Sequence, residues 1–212
     1  MFNSTIGKKI VVALTGLIMF GFVIGHLLGN LQVFQGPESL NTYAAFLKQT
    51  KPLLWGTRIA LLVAVVFHVV FTVQLNRLNR ASRPVQYRRP KPIQATVASR
   101  FMLWSGIFLL TYIVFHLAHL TFGSAVKPFS ETDVYTNIIT GFKLWPVSVG
   151  YMLGMIALGF HLNHGLSSVF QTLGLNNPKY NKWRNRFAVG ASTLIVLGYI
   201  SIPAAVLLGI VR

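Results

Sequence analysis

Five stretches of this chain contain no Asp, Glu, Lys or Arg and are long enough, as helices, to cross about 30 Å of hydrocarbon. They run roughly from Ile10 to Phe34, Ile59 to Gln74, Phe101 to Phe122, Pro146 to Leu173 and Phe187 to Val211. The second is short if Arg58 bounds it. A snorkelling Arg58 lengthens it, and Lys51-Pro52 marks a candidate helix start. The expected spans are therefore 10–34, 53–75, 101–122, 146–173 and 187–211. The fold class they predict is all-α, one integral membrane domain over 1–212 with five transmembrane helices, the first four forming a four-helix bundle. The first run follows Lys8 and Lys9, as a signal peptide would. At about 25 residues and without a small-residue cleavage site, it reads instead as a retained anchor.

The net charge is +16, yet only 10% of the residues are charged and 53% are hydrophobic. The basic residues sit in blocks between the apolar runs, which is how membrane topology is encoded, and no nucleic-acid-reading module interrupts the spans. No nucleic-acid partner is expected. The N-terminus, the loop from Asn76 to Arg100 and the loop from Asn176 to Arg186 together carry 13 positive residues and no negative one. The opposite side carries six positive and three negative residues. The positive-inside rule makes the first side cytoplasmic and leaves the C-terminus outside, in a cell (inner) membrane. Between Gln35 and Lys51, Leu40, Tyr43, Ala44 and Leu47 recur at helical spacing, which predicts an amphipathic helix on the outer surface. The remainder reads as connection, with no internal repeat. The absence of cysteine excludes disulfides, c-type haem attachment and cysteine-held iron–sulfur clusters within this chain.

All six histidines fall inside apolar spans: His26, His68, His116, His119, His161 and His164. Ionisable groups in a bilayer are costly and usually functional. At the helical rise, His26 and His116 lie roughly 25 and 24 Å from the basic edge of the membrane. His68 lies roughly 13 Å from that edge, and His161 roughly 15–20 Å, with His164 a turn nearer. The six thus form two levels, roughly 10–13 Å apart, with two helices contributing to each. Neutral imidazoles facing each other at one level suit a haem iron with both axial positions filled, which favours electron transfer over oxygen binding. His116/His119 and His161/His164 are i, i+3 pairs on shared faces, so one of each is free to orient or hydrogen-bond rather than ligate. Depth favours His116 and leaves His161 and His164 open. Gly21, Gly25 and Gly29, and Gly150 with Gly154, either let helices pack closely or make room for a flat porphyrin.

The segments that carry a resemblance are Thr15-Gly16, Gly25-His26-Leu27-Leu28-Gly29-Asn30-Leu31-Gln32, Asn41-Thr42-Tyr43-Ala44, and Asn79-Arg80-Ala81-Ser82-Arg83 with Tyr87. To these are added His116-Leu117-Ala118-His119, His161-Leu162-Asn163-His164-Gly165 and Phe170-Gln171-Thr172-Leu173-Gly174. Together they resemble the cytochrome b subunit of succinate dehydrogenase, in its single-chain, five-helix, dihaem form shared with some quinol:fumarate reductases. The resemblance covers nearly the whole chain and is weakest in the fifth helix. It implies two haem b groups, with one histidine ligand from each of the first four helices. The family's fourth-helix ligand stands four residues before a glycine, as His161 does before Gly165. The outer haem then falls to His26 and His116, and the inner to His68 and His161. It leaves His119 and His164 as neighbours of the ligands.

The resemblance also implies partners: an FAD flavoprotein and an iron–sulfur subunit on the cytoplasmic side, and a membrane quinone, menaquinone or ubiquinone. The loop with Arg77, Arg80, Arg83, Arg88 and Arg89 would receive the iron–sulfur subunit. The chain would serve as the electron-transferring, quinone-reducing subunit rather than the dehydrogenase itself, with no catalytic residue assigned. Quinone candidates are Asn30, Gln32 and Tyr43 near the outer level, and Ser167, Ser168 and Gln171 near the inner end of the fourth span. Two other readings compete. One is a haem b subunit of a hydrogenase or formate dehydrogenase, which differs in the segments quoted. The other is a His-gated transporter, which is disfavoured because the spans contain no carboxylate.

Overall fold

The computed structural model describes residues 4–82 and 96–212. Arg83, Tyr87, Arg88, Arg89 and Lys91 lie outside the described residues. Among the described residues seven α-helices follow in order: α1 Thr5–Asn30, α2 Pro37–Gln49, α3 Lys51–Ala81, α4 Val97–Leu120, α5 Val134–Lys143, α6 Trp145–Thr172 and α7 Pro178–Leu207. A short 3-10 turn, Leu31–Gln35, continues α1. Five helices, namely α1 with its 3-10 extension, α3, α4, α6 and α7, are long and apolar enough to cross a membrane. The chain is an integral membrane helical bundle.

Local signals set the helix ends. Ser4 accepts from the Gly7 amide at 3.0 Å, Thr96 from Ser99 at 3.1 Å and Asn177 from Lys179 at 2.9 Å, so each starts a helix with a side-chain cap. Proline at the first turn opens α2, α3, α6 and α7, where its missing N–H costs nothing. Gly174, at φ 79°, closes α6: the Leu175 amide reaches back to Phe170 O at 2.8 Å, a turn that needs the left-handed conformation.

Several helices run beyond the expected apolar spans, α3 to Ala81 and α7 most of all. The helix of the fifth span begins at Pro178 rather than Phe187, because helix and apolar span are separate things: α7 carries Lys179, Lys182, Arg184 and Arg186 on its first turns. The stretch between α4 and α6 also holds a helix, α5, that was not expected.

α1 packs along α3, and α4 along α6; α6 also packs on α1 and on α7. The largest buried cluster lies at one end of the bundle, where Val33, Leu40, Ile138, Ile139, Phe142, Tyr151, Ile202 and Val206 meet. There α2 and α5 lie across the ends of α1, α6 and α7. Asn41 ties them together: its amide donates to Asp133 at 2.9 Å and its carbonyl accepts from the Tyr135 amide at 3.0 Å. The spans themselves present large apolar side chains outward, such as Leu62, Trp104 and Leu194, as lipid-facing helices do.

The two hairpins α1/α3 and α4/α6 correspond at a handful of positions. Thr15-Gly16 on α1 matches Ser105-Gly106 on α4, Phe22 matches Tyr112, and His26 matches His116, all at the same spacing. Phe67-His68 on α3 matches Phe160-His161 on α6. This is an internal repeat that the sequence did not reveal, because its matching positions are few and lie among unrelated apolar residues.

Candidate functional site

The histidines of the first four spans meet across the two hairpins in two pairs. The rings of His26 on α1 and His116 on α4 lie 5.8 Å apart, centre to centre, with an interplanar angle of 89°. Those of His68 on α3 and His161 on α6 lie 6.2 Å apart at 54°. Two imidazoles bound to one metal ion would stand about 6 Å apart, from two bonds of about 2 Å and about 1 Å from each nitrogen to its ring centre. Both pairs have that spacing.

The repeat orients both inner rings alike. Nδ1 of His68 lies 3.2 Å from the Thr15 hydroxyl and 3.2 Å from the Val12 carbonyl. A carbonyl only accepts, so Nδ1 carries the proton and Nε2 keeps its lone pair. Thr15 in turn donates to Val11 O at 2.7 Å, which leaves its oxygen as an acceptor for the imidazole. On the other hairpin, Nδ1 of His161 lies 3.3 Å from the Ser105 hydroxyl, which donates to Met102 O at 3.1 Å. The glycines after these hydroxyls are matched too. A Cβ on Gly16 would stand 3.5 Å from Cε1 of His68, and one on Gly106 would stand 3.5 Å from Cε1 of His161.

The outer rings are held by stacking. Phe22 stacks on His26 at 5.1 Å, and Tyr112, its counterpart, on His116 at 5.9 Å. Nδ1 of His116 is buried with no hydrogen-bond partner among the described residues. α7 reaches this level as well. The Tyr199 hydroxyl donates to Val23 O at 2.8 Å, and its ring is 6.3 Å from that of His26.

The two further histidines differ from these. His119 is only 2% exposed. Its Nδ1 is 2.9 Å from the Tyr151 hydroxyl, and its ring packs on Phe115, Phe142 and the backbone at Gly141 of α5. It faces the core at the end of the bundle, away from His26. His164 stands one turn beyond His161 on α6, half-buried.

The glycines divide into two kinds. A Cβ on Gly29 would meet the Tyr43 ring at 2.6 Å, and one on Gly154 the Tyr112 ring at 2.6 Å; these two allow close packing. A Cβ on Gly21, Gly25 or Gly150 meets no atom within 4 Å. Beside His26, then, Gly21 and Gly25 leave room for a flat group.

Thr15 and Ser105 mark the inner level on α1 and α4, and each precedes the outer histidine of its own helix by eleven residues. That is about 16 Å along the helix at the helical rise.

Of the quinone candidates, Asn30 donates to His26 O at 2.7 Å, Gln32 accepts from Ser39 at 3.1 Å and Tyr43 covers Gly29. Ser167 donates to Asn185 at 3.2 Å. The sequence reading missed Thr15 and Ser105 as ring partners, although the hydroxyl–glycine pair ten and eleven residues before a histidine was a signal. For Tyr199 it offered none.

The described residues thus form a five-span helical bundle, the membrane-subunit class of protein, in which histidines of the spans face each other in two pairs. The family described as the succinate dehydrogenase/fumarate reductase transmembrane subunit matches residues 76–200, more than half of the chain and including His116 and His161. The chain belongs to that family. No curated protein and no solved structure matches it.

Proposed function

We propose that this chain is the dihaem cytochrome b anchor of a succinate:quinone oxidoreductase. His26 and His116 hold the outer haem and His68 and His161 the inner one. The chain passes electrons from an iron–sulfur subunit to a membrane quinone. The observation that carries this reading is the pair of ring separations, 5.8 and 6.2 Å, each suited to one metal ion bound on both sides. Haem iron with two imidazole ligands supplies one-electron transfer with no open position for oxygen. The chain's own residues do the rest. Val12 and Thr15, and Ser105 on the other hairpin, hold the inner rings with Nε2 free. Gly21, Gly25 and Gly150 keep side chains out of the space beside the rings. His119 is engaged by Tyr151, which supports His116 as the ligand on α4.

The basic side faces the cytoplasm, where Arg77 and Arg80 at the end of α3, with Arg83, Arg88 and Arg89 beyond it, receive the iron–sulfur subunit and its FAD-bearing partner. Quinone reacts toward the outer level, near Asn30, Gln32 and Tyr43. Electron movement outward couples the reaction to membrane potential, at roughly 2.3 kcal/mol per charge per 100 mV for a full crossing. The test compares succinate:quinone with succinate:dye activity in membranes carrying His26→Leu. The expected result is loss of quinone reduction with dye reduction kept. Unchanged quinone reduction in a variant shown to lack the outer haem would move the quinone site to the inner side.

A further inference from the structure

Arg184, on the second turn of α7, is only 7% exposed, and no carboxylate reaches it. The chain has three acidic residues, Glu38, Glu131 and Asp133, all in or beside α2 and α5 at the opposite end of the bundle. The hydrogen bonds of Arg184 go to neutral amides. Nη1 donates to Asn176 Oδ1 at 2.8 Å, while Nε and Nη2 share Asn185 Oδ1 at 3.4 Å. A guanidinium has five N–H donors, so some remain uncommitted, and a buried charge without a counter-charge is strongly disfavoured. Arg184 lines an open pocket of about 450 Å³ together with Phe170, Leu175, Asn176, Tyr180 and Trp183.

A group bound at the inner histidine pair is poorly placed to neutralise it. α6 meets α7 through Gly159 against Val196, Ser167 against Asn185 and Phe170 against Trp183. At 100° per residue these contacts lie roughly 160–240° around α6 from His161. Arg184 is on the far side of α6 from His161, and with all three acidic residues at the other end of the bundle its counter-ion comes from outside the chain.

We propose that this pocket binds the headgroup of an anionic phospholipid, with the phosphodiester held by Arg184 and the Asn176 side chain. A guanidinium matches phosphate oxygens two at a time. The mouth is flanked by the exposed rings of Tyr180 and Trp183, and such amphipathic aromatics settle at headgroup level. Lys179 and Lys182 on the same helix add positive potential. Trp183 stacks on Phe187 at 5.5 Å, so an aromatic wall leads from the mouth into the apolar part of α7. A charged socket continuous with an apolar wall fits an occupant with a charged head and an apolar tail, which a soluble partner's carboxylate lacks.

The experiment uses the purified complex in vesicles of phosphatidylcholine, with or without phosphatidylglycerol, for the parent chain, Arg184→Gln and Asn176→Asp. Native mass spectrometry reads retained lipid and a thermal scan reads stability. Phosphatidylglycerol should be retained by the parent and raise its melting temperature. Arg184→Gln should lose both effects, with retention falling roughly tenfold or more, the loss of one good charge-assisted contact. Asn176→Asp supplies the missing counter-charge from within. It should be stable in phosphatidylcholine alone and indifferent to phosphatidylglycerol, which keeps the test open if Arg184→Gln does not fold. Inorganic phosphate should not reproduce the parent's shift. The proposal is overturned if phosphatidylglycerol is retained equally by the parent and Asn176→Asp, or if phosphate alone stabilises the parent as well. It is equally overturned if Arg184→Gln keeps its lipid while shedding the iron–sulfur subunit.

Discussion

Nδ1 of His68 lies 3.2 Å from the hydroxyl oxygen of Thr15, a contact that joins α3 to α1 beside the Val12 carbonyl that fixes which ring nitrogen is free. Its counterpart joins His161 to Ser105 at 3.3 Å across the second hairpin. A hydrogen bond to the far nitrogen makes an imidazole a stronger electron donor to iron and so favours the oxidised state. Thr15→Val should therefore keep the inner haem, since the Val12 carbonyl still accepts from His68. It should raise one midpoint potential by roughly 20–60 mV, the equivalent of about 0.5–1.5 kcal/mol for one hydrogen bond. Potentiometric titration of the two haems reads it. A shift in neither potential would make Thr15 a packing residue only.

The second prediction separates His119 from His116. His119→Gln should retain both haems, because the ring it replaces faces Tyr151 and α5. His119→Leu strands the buried Tyr151 hydroxyl and should destabilise the bundle by about 1–3 kcal/mol. Gly141→Ala drives a Cβ into the His119 ring and should act similarly. His164→Asn should likewise keep both haems. Loss of the outer haem in His119→Gln, with His116→Gln keeping it, would put the ligand one turn further along α4.

These two residues also show what was legible in the sequence and what was not. Both histidines of α4 were visible as chemistry, because an imidazole in an uncharged span has few other reasons to be there. What the ring touches depends on α5, and α5 was missed. Its signal was present: Tyr135, Ile138, Ile139 and Phe142 fall at i, i+3, i+4 and i+7 behind the cap residue Asp133. It was overlooked because a ten-residue helix cannot span a membrane and its period runs for little more than two turns. The five long helices were legible because lipid leaves a long uncharged run few alternatives. The start of α7 was not, since Asn177-Pro178 opens the helix well before the charges end. The hairpin repeat escaped because Thr15 answers to Ser105 and Phe22 to Tyr112, substitutions recognisable only once both contact a histidine.

The third prediction follows from Asp133. Its carboxylate accepts from the Thr136 hydroxyl at 2.6 Å, the Thr136 amide at 3.0 Å and the Asn41 amide at 2.9 Å. These bonds, the Thr136 hydroxyl first among them, hold its pKa below the ordinary 3.8. A depressed carboxylate contributes stability that is present above the ordinary value and is lost as pH falls through the folded one. The tie between α2 and α5 should thus persist at pH 5 and weaken below about pH 4. Thermal scans of parent and Asp133→Asn across that range read it. The parent should lose its advantage over the variant on acidification. A gap that stays constant with pH would mean the carboxylate's charge contributes nothing.

The central claim is that two histidine pairs hold two haems, one at each level. Haem content per polypeptide, read from the reduced-minus-oxidised b-type spectrum of the purified complex, tests it most directly in the parent, His26→Leu and His68→Leu. Two haems are expected in the parent and one in each variant, with a different member of the spectral pair missing from each. Two haems retained in either variant, or a parent without b-type bands, would contradict it.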